Sequence, residues 1–191
     1  MITLYLARHG ETDGNVQQWY QGSTDVPINA HGLEQAKHLG EFFSHTHLDA
    51  VYSSTLQRAM ATAECVAAPH GLSVIPDESL KEADFGEWEG HTYEEITTKW
   101  PGELEAVYAS DGTLPARGGE SFCQVRDRIL KGTRDILAKH KDGDSVFIVS
   151  HGAAIRCLLF GLLGSICVVF GASNSSIRPS MSSNITATAT S

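Results

Sequence analysis

Positive charge is scarce in this 191-residue sequence. Only 14 Lys and Arg residues stand against 23 Asp and Glu residues, so the formal net charge is −9 at pH 7. Nucleic acids and anionic membranes bind basic protein surfaces, and we therefore expect neither as a partner. The length is that of one ordinary globular domain with a sizeable hydrophobic core.

Long apolar runs and closely spaced cysteine pairs are also missing. The longest apolar stretch, residues 157–171, is broken by Gly161 and Gly164 and falls short of the roughly 20 residues that a membrane helix needs. Residues 1–7 carry no basic segment and favour a buried strand over a signal peptide. The absence of a Cys-x-x-Cys pair favours reduced core thiols in a cytoplasmic protein. The four cysteines are Cys65, Cys123, Cys157 and Cys167.

Short β-prone runs alternate with helical patterns along most of the chain. The predicted strands are 2–7, 48–54, 72–75 and 145–150, and the predicted helices are 30–43, 56–67, 92–100, 121–140 and 153–163. This alternation predicts a mostly parallel central sheet covered by helices on both faces, a three-layer α/β/α sandwich. Ligands of such sheets bind beyond the carboxyl ends of the strands.

Histidine and arginine follow the ends of these predicted strands. Arg8 and His9 follow the first strand, His151 follows the last, and Arg58 lies in the helix after the second. The guanidinium group suits phosphate oxygens, and a neutral imidazole can attack phosphorus. Nearby cations would keep that imidazole neutral and stabilise the transition state. The acidic loop at 78–89 could protonate the leaving oxygen.

Several segments in order resemble the histidine phosphatase superfamily, also called the phosphoglycerate mutase-like family. The resemblance covers roughly residues 1–164. It is carried by Leu6-Ala7-Arg8-His9-Gly10-Glu11-Thr12 with Asn15, Gln21-Gly22, Val51-Tyr52-Ser53-Ser54 with Arg58, Leu80-Lys81-Glu82 with Phe85-Gly86-Glu87-Trp88-Glu89-Gly90, Gly118-Gly119-Glu120-Ser121, and Val149-Ser150-His151-Gly152. The fold that the resemblance implies is the phosphoglycerate mutase-like α/β sandwich.

The resemblance also implies roles for individual residues. His9 would be the nucleophile that becomes phosphorylated, and Glu82 the proton donor that later acts as the base. Neither a metal nor a cofactor is implied. The residues expected to bind the phosphorylated substrate are Arg8, Asn15, Gln21, Gly22, Arg58, His151 and Gly152.

The resemblance favours a phosphatase that acts on a small phosphorylated metabolite. Mutases of this family carry an insertion after the acid-bearing loop, whereas Gly90 here leads directly into the predicted helix at 92–100. Within the phosphatase branch of the family, this sequence resembles the α-ribazole phosphatases and the broad-specificity bacterial phosphatases. Three alternatives stay open: a cofactor-dependent phosphoglycerate mutase, a phosphotransferase, and a non-catalytic module that binds a phospho-ligand.

Substrate specificity is expected from Trp19, Gln21 and the region 87–119. Glu120 and Ser121 are interpreted as the start of the long helix, with a substrate contact as the alternative. The sequence indicates neither the particular substrate nor the oligomeric state.

The last 27 residues, 165–191, differ from the rest of the chain. They hold a single charged residue, Arg178, and 11 Ser or Thr residues. Residues 168–190 can be back-translated into DNA with selected synonymous codons. When that DNA is translated again in the frame that starts two bases later, it encodes Phe-Asn-Thr-Ala-Ile-Asn. This sequence is similar to the C-terminal strand of the family. We therefore divide the chain into a catalytic domain, 1–164, and a tail, 165–191. Our hypothesis is that a frameshift near Gly164 replaced the native C-terminal strand with this tail. The alternative is a genuine flexible Ser/Thr-rich tail.

Overall fold

A single sheet organises the fold in the computed structural model, which describes residues 1–163 and 187–190. The strands are β1 (Thr3–Arg8), β2 (Ala50–Ser53), β3 (Val74–Pro76), β4 (Ser145–Ser150) and β5 (Ala187–Thr190). They lie in the order β3-β2-β4-β1-β5. The first four are parallel, and β5 runs antiparallel against β1. The predicted mostly parallel sheet is confirmed.

Seven α-helices accompany the sheet in the described part of the chain. They are α1 (Asp13–Val16), α2 (Ala30–Phe43), α3 (Gln57–Ala67), α4 (Tyr93–Lys99), α5 (Glu103–Ala109), α6 (Phe122–Leu137) and α7 (Gly152–Leu162). Short 3-10 turns occur at Ala68–His70, Glu78–Leu80 and Gly86–Trp88. The five predicted helices are present, and α1 and α5 are additions to the prediction.

The alternation of side chains along the strands builds two hydrophobic cores, one on each face of the sheet. In β4, Val146 and Ile148 face the core that includes Ile129 of α6 and Leu158 of α7. Phe147 and Val149 face the other core, where α2 and α3 contribute Phe43, Ala59, Ala63 and Val66. The three-layer α/β/α architecture is therefore confirmed.

The cysteines are less uniform than the sequence suggested. Cys157 is fully buried, but Cys65 and Cys123 are only half-buried, and all three are free thiols. Cys65 lies beside the face of α3 that packs on the sheet, and the Cys123 thiol lies 3.8 Å from the carbonyl oxygen of Asp111. The expectation of core thiols is therefore correct for Cys157 and wrong for Cys65 and Cys123. Cys167 lies outside the described residues.

The predicted tail is described only at its far end, where β5 forms an edge strand beside β1. Residues 164–186, on which most of the frameshift hypothesis depends, lie outside the described residues, so the hypothesis stays a prediction. Among the described residues, no helix is long and apolar enough to cross a membrane.

Candidate active site

The register of three neighbouring strands brings the predicted site residues together. Arg8 of β1 pairs with Ser150 of β4, and Ser53 of β2 pairs with Val149. The backbone segments that follow β1 and β4 continue side by side beyond the strand ends, where the His9 N–H donates to the Ser150 carbonyl at 3.1 Å. As a result the imidazole rings of His9 and His151 lie 5.0 Å apart between their centroids.

The protein environment orients the His9 ring for attack through one nitrogen. Nδ1 lies 2.7 Å from the Gly10 carbonyl oxygen, and because a carbonyl only accepts, Nδ1 carries the proton. Nε2 therefore keeps its lone pair. Burial, followed by the charges of Arg8 and Arg58, holds the pKa of His9 well below its usual range. The ring is thus neutral near pH 7, with a lone pair on Nε2 that is suited to attack on phosphorus.

The second histidine is fully buried beside the first. His151 Nε2 lies 2.8 Å from the hydroxyl oxygen of Ser54. Burial lowers the pKa of His151 well below its usual value, with His9, Arg58 and Arg8 adding to the effect. In the tautomer in which Ser54 donates to Nε2, Nδ1 of His151 is an N–H donor.

Arg58 is a buried cation held by main-chain carbonyl groups. Only 1% of its surface is exposed, and its two terminal nitrogens donate to the carbonyls of Gly22 and Thr24 at 2.7 and 2.8 Å. Burial lowers the pKa of Arg58, and the charge of Glu82 opposes that effect. Arg8 shows the same pattern, because burial lowers its pKa and Glu82 raises it.

Several of the predicted phosphate ligands carry a buried nitrogen atom that has no hydrogen-bond partner. In the part of the chain that the structure describes, seven buried side-chain polar atoms have no hydrogen-bond partner. Four of them are Nε of Arg8, Nδ2 of Asn15, Nε of Arg58 and Nδ1 of His151. A buried donor without an acceptor costs roughly 1–3 kcal/mol. A phosphoryl group, with its anionic oxygens, is an acceptor suited to these donors.

The Glu82 carboxylate lies at the amino end of α7. It accepts hydrogen bonds from the N–H groups of Ala153, Ala154 and Ala83 at 3.1, 2.9 and 3.0 Å. These donors and the helix dipole stabilise a negative charge at that position. Glu82 is therefore near the two arginines, on which its charge acts, and its carboxylate is held by three main-chain N–H groups.

The loop that carries Glu82 is braced by Arg128 of α6, a residue that the sequence analysis missed. Arg128 donates to the carbonyls of Ser79 and Lys81 at 3.0 Å and of Glu82 at 3.2 Å, and it binds both carboxylate oxygens of Glu120. Glu120 also accepts from the Asp84 N–H at 3.0 Å. Glu120 therefore fastens the loop at residues 78–89, called the acid loop here, to α6. It is not placed as a substrate contact.

Glu89 fastens the other end of this loop to the segment that holds Arg58. Its carboxylate accepts from the N–H groups of Ser23 and Thr24, both at 2.8 Å, and from both hydroxyls. Gly22 adopts φ +53°, and a Cβ there would collide with the Glu89 carboxylate. Gly22 therefore contributes its carbonyl to Arg58 and permits the close approach of Glu89.

The remaining predicted ligands occupy supporting positions. Asn15 forms a capping box with Thr12 at the start of α1, and the Thr12 hydroxyl donates to Gln21 Oε1 at 2.7 Å. Gln21 is buried, with 8% of its surface exposed. Gly152 begins α7 directly after His151 and lies against Arg8. No group of three or more potential ligands within the described ranges could hold a metal ion.

An α/β sheet whose strand ends gather two neutral histidines, the buried Arg58, the half-buried Arg8 and a carboxylate is suited to binding a phosphoryl group. The comparisons identify the family: a model of the histidine phosphatase superfamily (branch 1) matches residues 4–167. The chain belongs to this superfamily, and the predicted class, a phosphatase, is confirmed.

The relatives include both phosphatases and a probable mutase. Phosphoserine phosphatase 1 from Hydrogenobacter thermophilus is 35% identical over 86% of this chain and 77% of its own length. The probable phosphoglycerate mutase GpmB from Salmonella choleraesuis is 34% identical over 86% and 76%. The solved structure of Bacillus stearothermophilus YhfR superimposes with a TM-score of 0.83 at 33% identity, covering 91% of this chain and 86% of that one.

Proposed function

We propose that the protein hydrolyses phosphomonoesters of small metabolites through a phosphohistidine formed on His9. The observation that carries this proposal is the set of four unpartnered buried nitrogens on Arg8, Asn15, Arg58 and His151. The His151 ring lies 5.0 Å from the neutral His9 ring, and the charges of Arg8 and Arg58 act on His9. Such a site stabilises the oxygens of a transferring phosphoryl group.

In the first step, the lone pair of His9 Nε2 attacks phosphorus. A P–N bond forms as the ester P–O bond breaks, and Arg8, Arg58, Asn15 and His151 donate to the non-bridging oxygens. Glu82 gives its proton to the leaving oxygen and becomes the carboxylate that the α7 amide groups stabilise.

In the second step, the Glu82 carboxylate takes a proton from water as the water oxygen attacks phosphorus. The P–N bond breaks, its electron pair returns to Nε2, and inorganic phosphate leaves. His9 is again neutral, and Glu82 is again protonated for the next substrate. Because Arg8 and Arg58 supply the positive charge, we expect a chelator to leave the activity unchanged.

A phosphoglycerate mutase is the second candidate function, and the similarity to GpmB favours it. A mutase would use the same phosphohistidine, but an alcohol rather than water would accept the phosphoryl group. The phosphotransferase alternative differs in the same way. A binding module without turnover is disfavoured because His9, Glu82 and both arginines lie together in one site.

The test is a panel of phosphomonoesters that includes phosphoserine, 3-phosphoglycerate with and without bisphosphoglycerate, α-ribazole phosphate and sugar phosphates. We expect release of inorganic phosphate and a loss of about 10³-fold or more in kcat/KM in His9→Ala. His31→Ala, at an exposed histidine of α2, is the matched control. Full activity in His9→Ala would refute the proposal, and transfer to alcohols alone would favour the alternatives.

We also propose a cellular location for the enzyme and a class of molecules that it binds. The free thiols of Cys65, Cys123 and Cys157 support a cytoplasmic location. The net charge of −9 supports small metabolites, rather than nucleic acids or membranes, as the molecules it binds.

A further inference from the structure

The main-chain carbonyl that orients His9 is part of a longer chain of hydrogen bonds. His9 Nδ1 lies 2.7 Å from the Gly10 carbonyl oxygen, which belongs to the peptide group that joins Gly10 to Glu11. The N–H of the same peptide group, that of Glu11, donates to the side-chain oxygen Oε1 of Gln35 at 3.0 Å. This peptide is trans, and its C=O and N–H therefore point in opposite directions. His9 and Gln35 thus hold one peptide group from its two sides.

Helix α2, which carries Gln35, lies directly against this peptide group. Gln35 is half-buried and follows Gly32 by three positions, so the two residues share one face of the helix. A Cβ added to Gly32 would collide with the main chain of Glu11, and one added to Gly10 would collide with the Gly32 carbonyl. Because glycine allows the two backbones to approach this closely, the Gln35 side chain reaches the Glu11 N–H directly.

Two further contacts hold the main chain around Gly10 independently of Gln35. The Thr62 hydroxyl donates to a main-chain carbonyl of its own helix, α3, at 2.8 Å, and it accepts from the Gly10 N–H at 3.0 Å. The Asn29 N–H donates to the Glu11 carbonyl at 2.9 Å. Loss of the Gln35 contact would therefore leave the Gly10–Glu11 peptide free to turn, while the main chain on either side stays in place.

The contact with Gln35 affects both the direction and the strength of the hydrogen bond to His9. A peptide N–H that donates polarises its peptide group, and the carbonyl of that group becomes a stronger acceptor. A stronger acceptor at Gly10 favours the tautomer of His9 with the proton on Nδ1 and the lone pair on Nε2. Attack on phosphorus needs that lone pair, so the contact bears directly on the proposed first step.

We propose that Gln35 is a positioning residue that keeps His9 in its reactive tautomer through the peptide group between Gly10 and Glu11. Gln35 acts through the main chain and takes no part in bond making or breaking. The inference rests on the proposed function, because the tautomer matters for catalysis only if Nε2 attacks phosphorus.

The first measurement is the tautomer of His9 in the free protein. Gln35→Met keeps the length of the side chain but offers only sulfur, a weak acceptor, whereas Gln35→Glu keeps an acceptor oxygen. Nitrogen NMR of selectively labelled histidine, assigned with His9→Gln, shows which ring nitrogen carries the proton. We expect Nδ1 to carry it in the wild type and in Gln35→Glu, and a mixture of both tautomers in Gln35→Met. The wild-type pattern in Gln35→Met would overturn the inference.

The second measurement is the rate at which His9 is phosphorylated. An aryl phosphate needs no proton donor, so the Glu82→Gln enzyme should form the phosphoenzyme without hydrolysing it. In that background, Gln35→Met should slow the burst by about 10- to 100-fold, and Gln35→Glu should restore most of the rate. The Kd of inorganic phosphate should be unchanged, because the phosphate ligands stay in place.

Two kinetic results would contradict the inference. Equal losses of burst rate in Gln35→Met and Gln35→Glu would show that the acceptor oxygen has no part in the effect. Binding of inorganic phosphate weakened by the same factor as the burst rate would show that Gln35 supports the whole site rather than His9. Glu34→Met is the matched control, because it puts the same side chain at the preceding, exposed position of α2. It should change neither the tautomer nor the burst.

The NMR measurement does not depend on turnover, and it therefore separates this inference from the proposed function. A His9 tautomer that depends on Gln35, in an enzyme that never becomes phosphorylated on His9, would support the positioning role and refute the proposed chemistry. An unchanged burst rate in Gln35→Met would refute the positioning role alone.

Discussion

At the scale of single residues, the site depends on keeping two histidines neutral. Burial is the largest cause of the lowered pKa of both His9 and His151, and the neighbouring arginines add to it. A protonated His9 would have no lone pair for phosphorus. The arginines that we propose as phosphate ligands would therefore also keep the proposed nucleophile neutral.

The first prediction concerns this protonation state. Because the pKa of His9 and of His151 lies well below 6.5, neither ring should take up a proton as the pH falls from about 8 to about 6. Nitrogen NMR of selectively labelled histidine, with His9→Gln and His151→Gln used to assign the two signals, measures this. Protonation of His9 near pH 6.5 would contradict the account.

The second prediction concerns Glu82. In Glu82→Gln, attack on an alkyl phosphate should slow by about 10²–10⁴-fold, because the leaving oxygen receives no proton. An aryl phosphate leaves without that help, so it should still phosphorylate His9. The phosphoenzyme should then accumulate as a burst, since no base activates water.

Glu64→Gln, at an exposed glutamate of α3, is the control and should turn over normally. Equal slowing of alkyl and aryl phosphates in Glu82→Gln would argue against the role of proton donor. Burst amplitudes from rapid-quench kinetics distinguish the two results.

At the scale of structural elements, the acid loop is fastened at both ends by long-range contacts. Arg128 of α6 holds the carbonyls near Glu82, and Glu89 holds the segment that supplies carbonyls to Arg58. One end therefore holds the proposed proton donor, Glu82, and the other holds Arg58, a proposed phosphate ligand.

The third prediction separates these two ends kinetically. Arg128→Lys keeps the charge but cannot reproduce the planar set of contacts to three carbonyls and Glu120. It should lower kcat for alkyl phosphates by roughly tenfold, with a smaller change in KM, because Glu82 loses its position. Glu89→Gln should mainly raise KM, because the segment around Arg58 loosens.

Steady-state kinetics of both variants, with circular dichroism to confirm that each is folded, measure the effect. An aryl phosphate serves as an internal control for Arg128→Lys, since its leaving group needs no proton. An equal loss of kcat for alkyl and aryl substrates would mean that Arg128 supports the fold as a whole. It would contradict a specific role of Arg128 in positioning Glu82.

These structural elements differ in how well the sequence predicts them. β1, β4 and α6 were predictable, because each is a long run with clear periodicity and buries most of that pattern. α5 was missed, since it is seven residues long and follows Pro101 and Gly102, which mark a turn. Among the site residues, those after strand ends were predictable. The placements of Arg128 and Glu89 were not, since they depend on main-chain contacts between residues distant in sequence.

At the scale of the whole molecule, the acidic surface and the cationic site have separate origins. The net charge of −9 belongs to the chain as a whole, whereas Arg8 and Arg58 lie at one edge of the sheet because neighbouring strands end there. An acidic protein can therefore bind an anionic substrate locally.

The fourth prediction concerns stability and pH. In the unfolded chain, His9 and His151 take up protons below about pH 6.5, but in the fold their lowered pKa keeps them neutral. The unfolded state then binds more protons, so the free energy of unfolding falls as the pH drops below about 6.5. The fall is at most about 1.4 kcal/mol per pH unit for each histidine.

Urea unfolding at about pH 7.5 and about pH 5.5 measures this dependence. His9→Gln, which cannot take up a proton, should show a shallower dependence than the wild type. The same dependence in both proteins would show that His9 contributes nothing to it.

The whole proposed mechanism depends on a phosphohistidine at His9, which can be trapped. Glu82→Gln protein, mixed with an aryl phosphate and quenched in alkali to preserve a phosphorus–nitrogen bond, would be digested and mapped by mass spectrometry. The account predicts one phosphoryl group per chain, attached to His9 and absent when His9→Ala is added. A phosphoryl group on His151 or another residue, or turnover of the aryl phosphate by the His9→Ala enzyme, would contradict it.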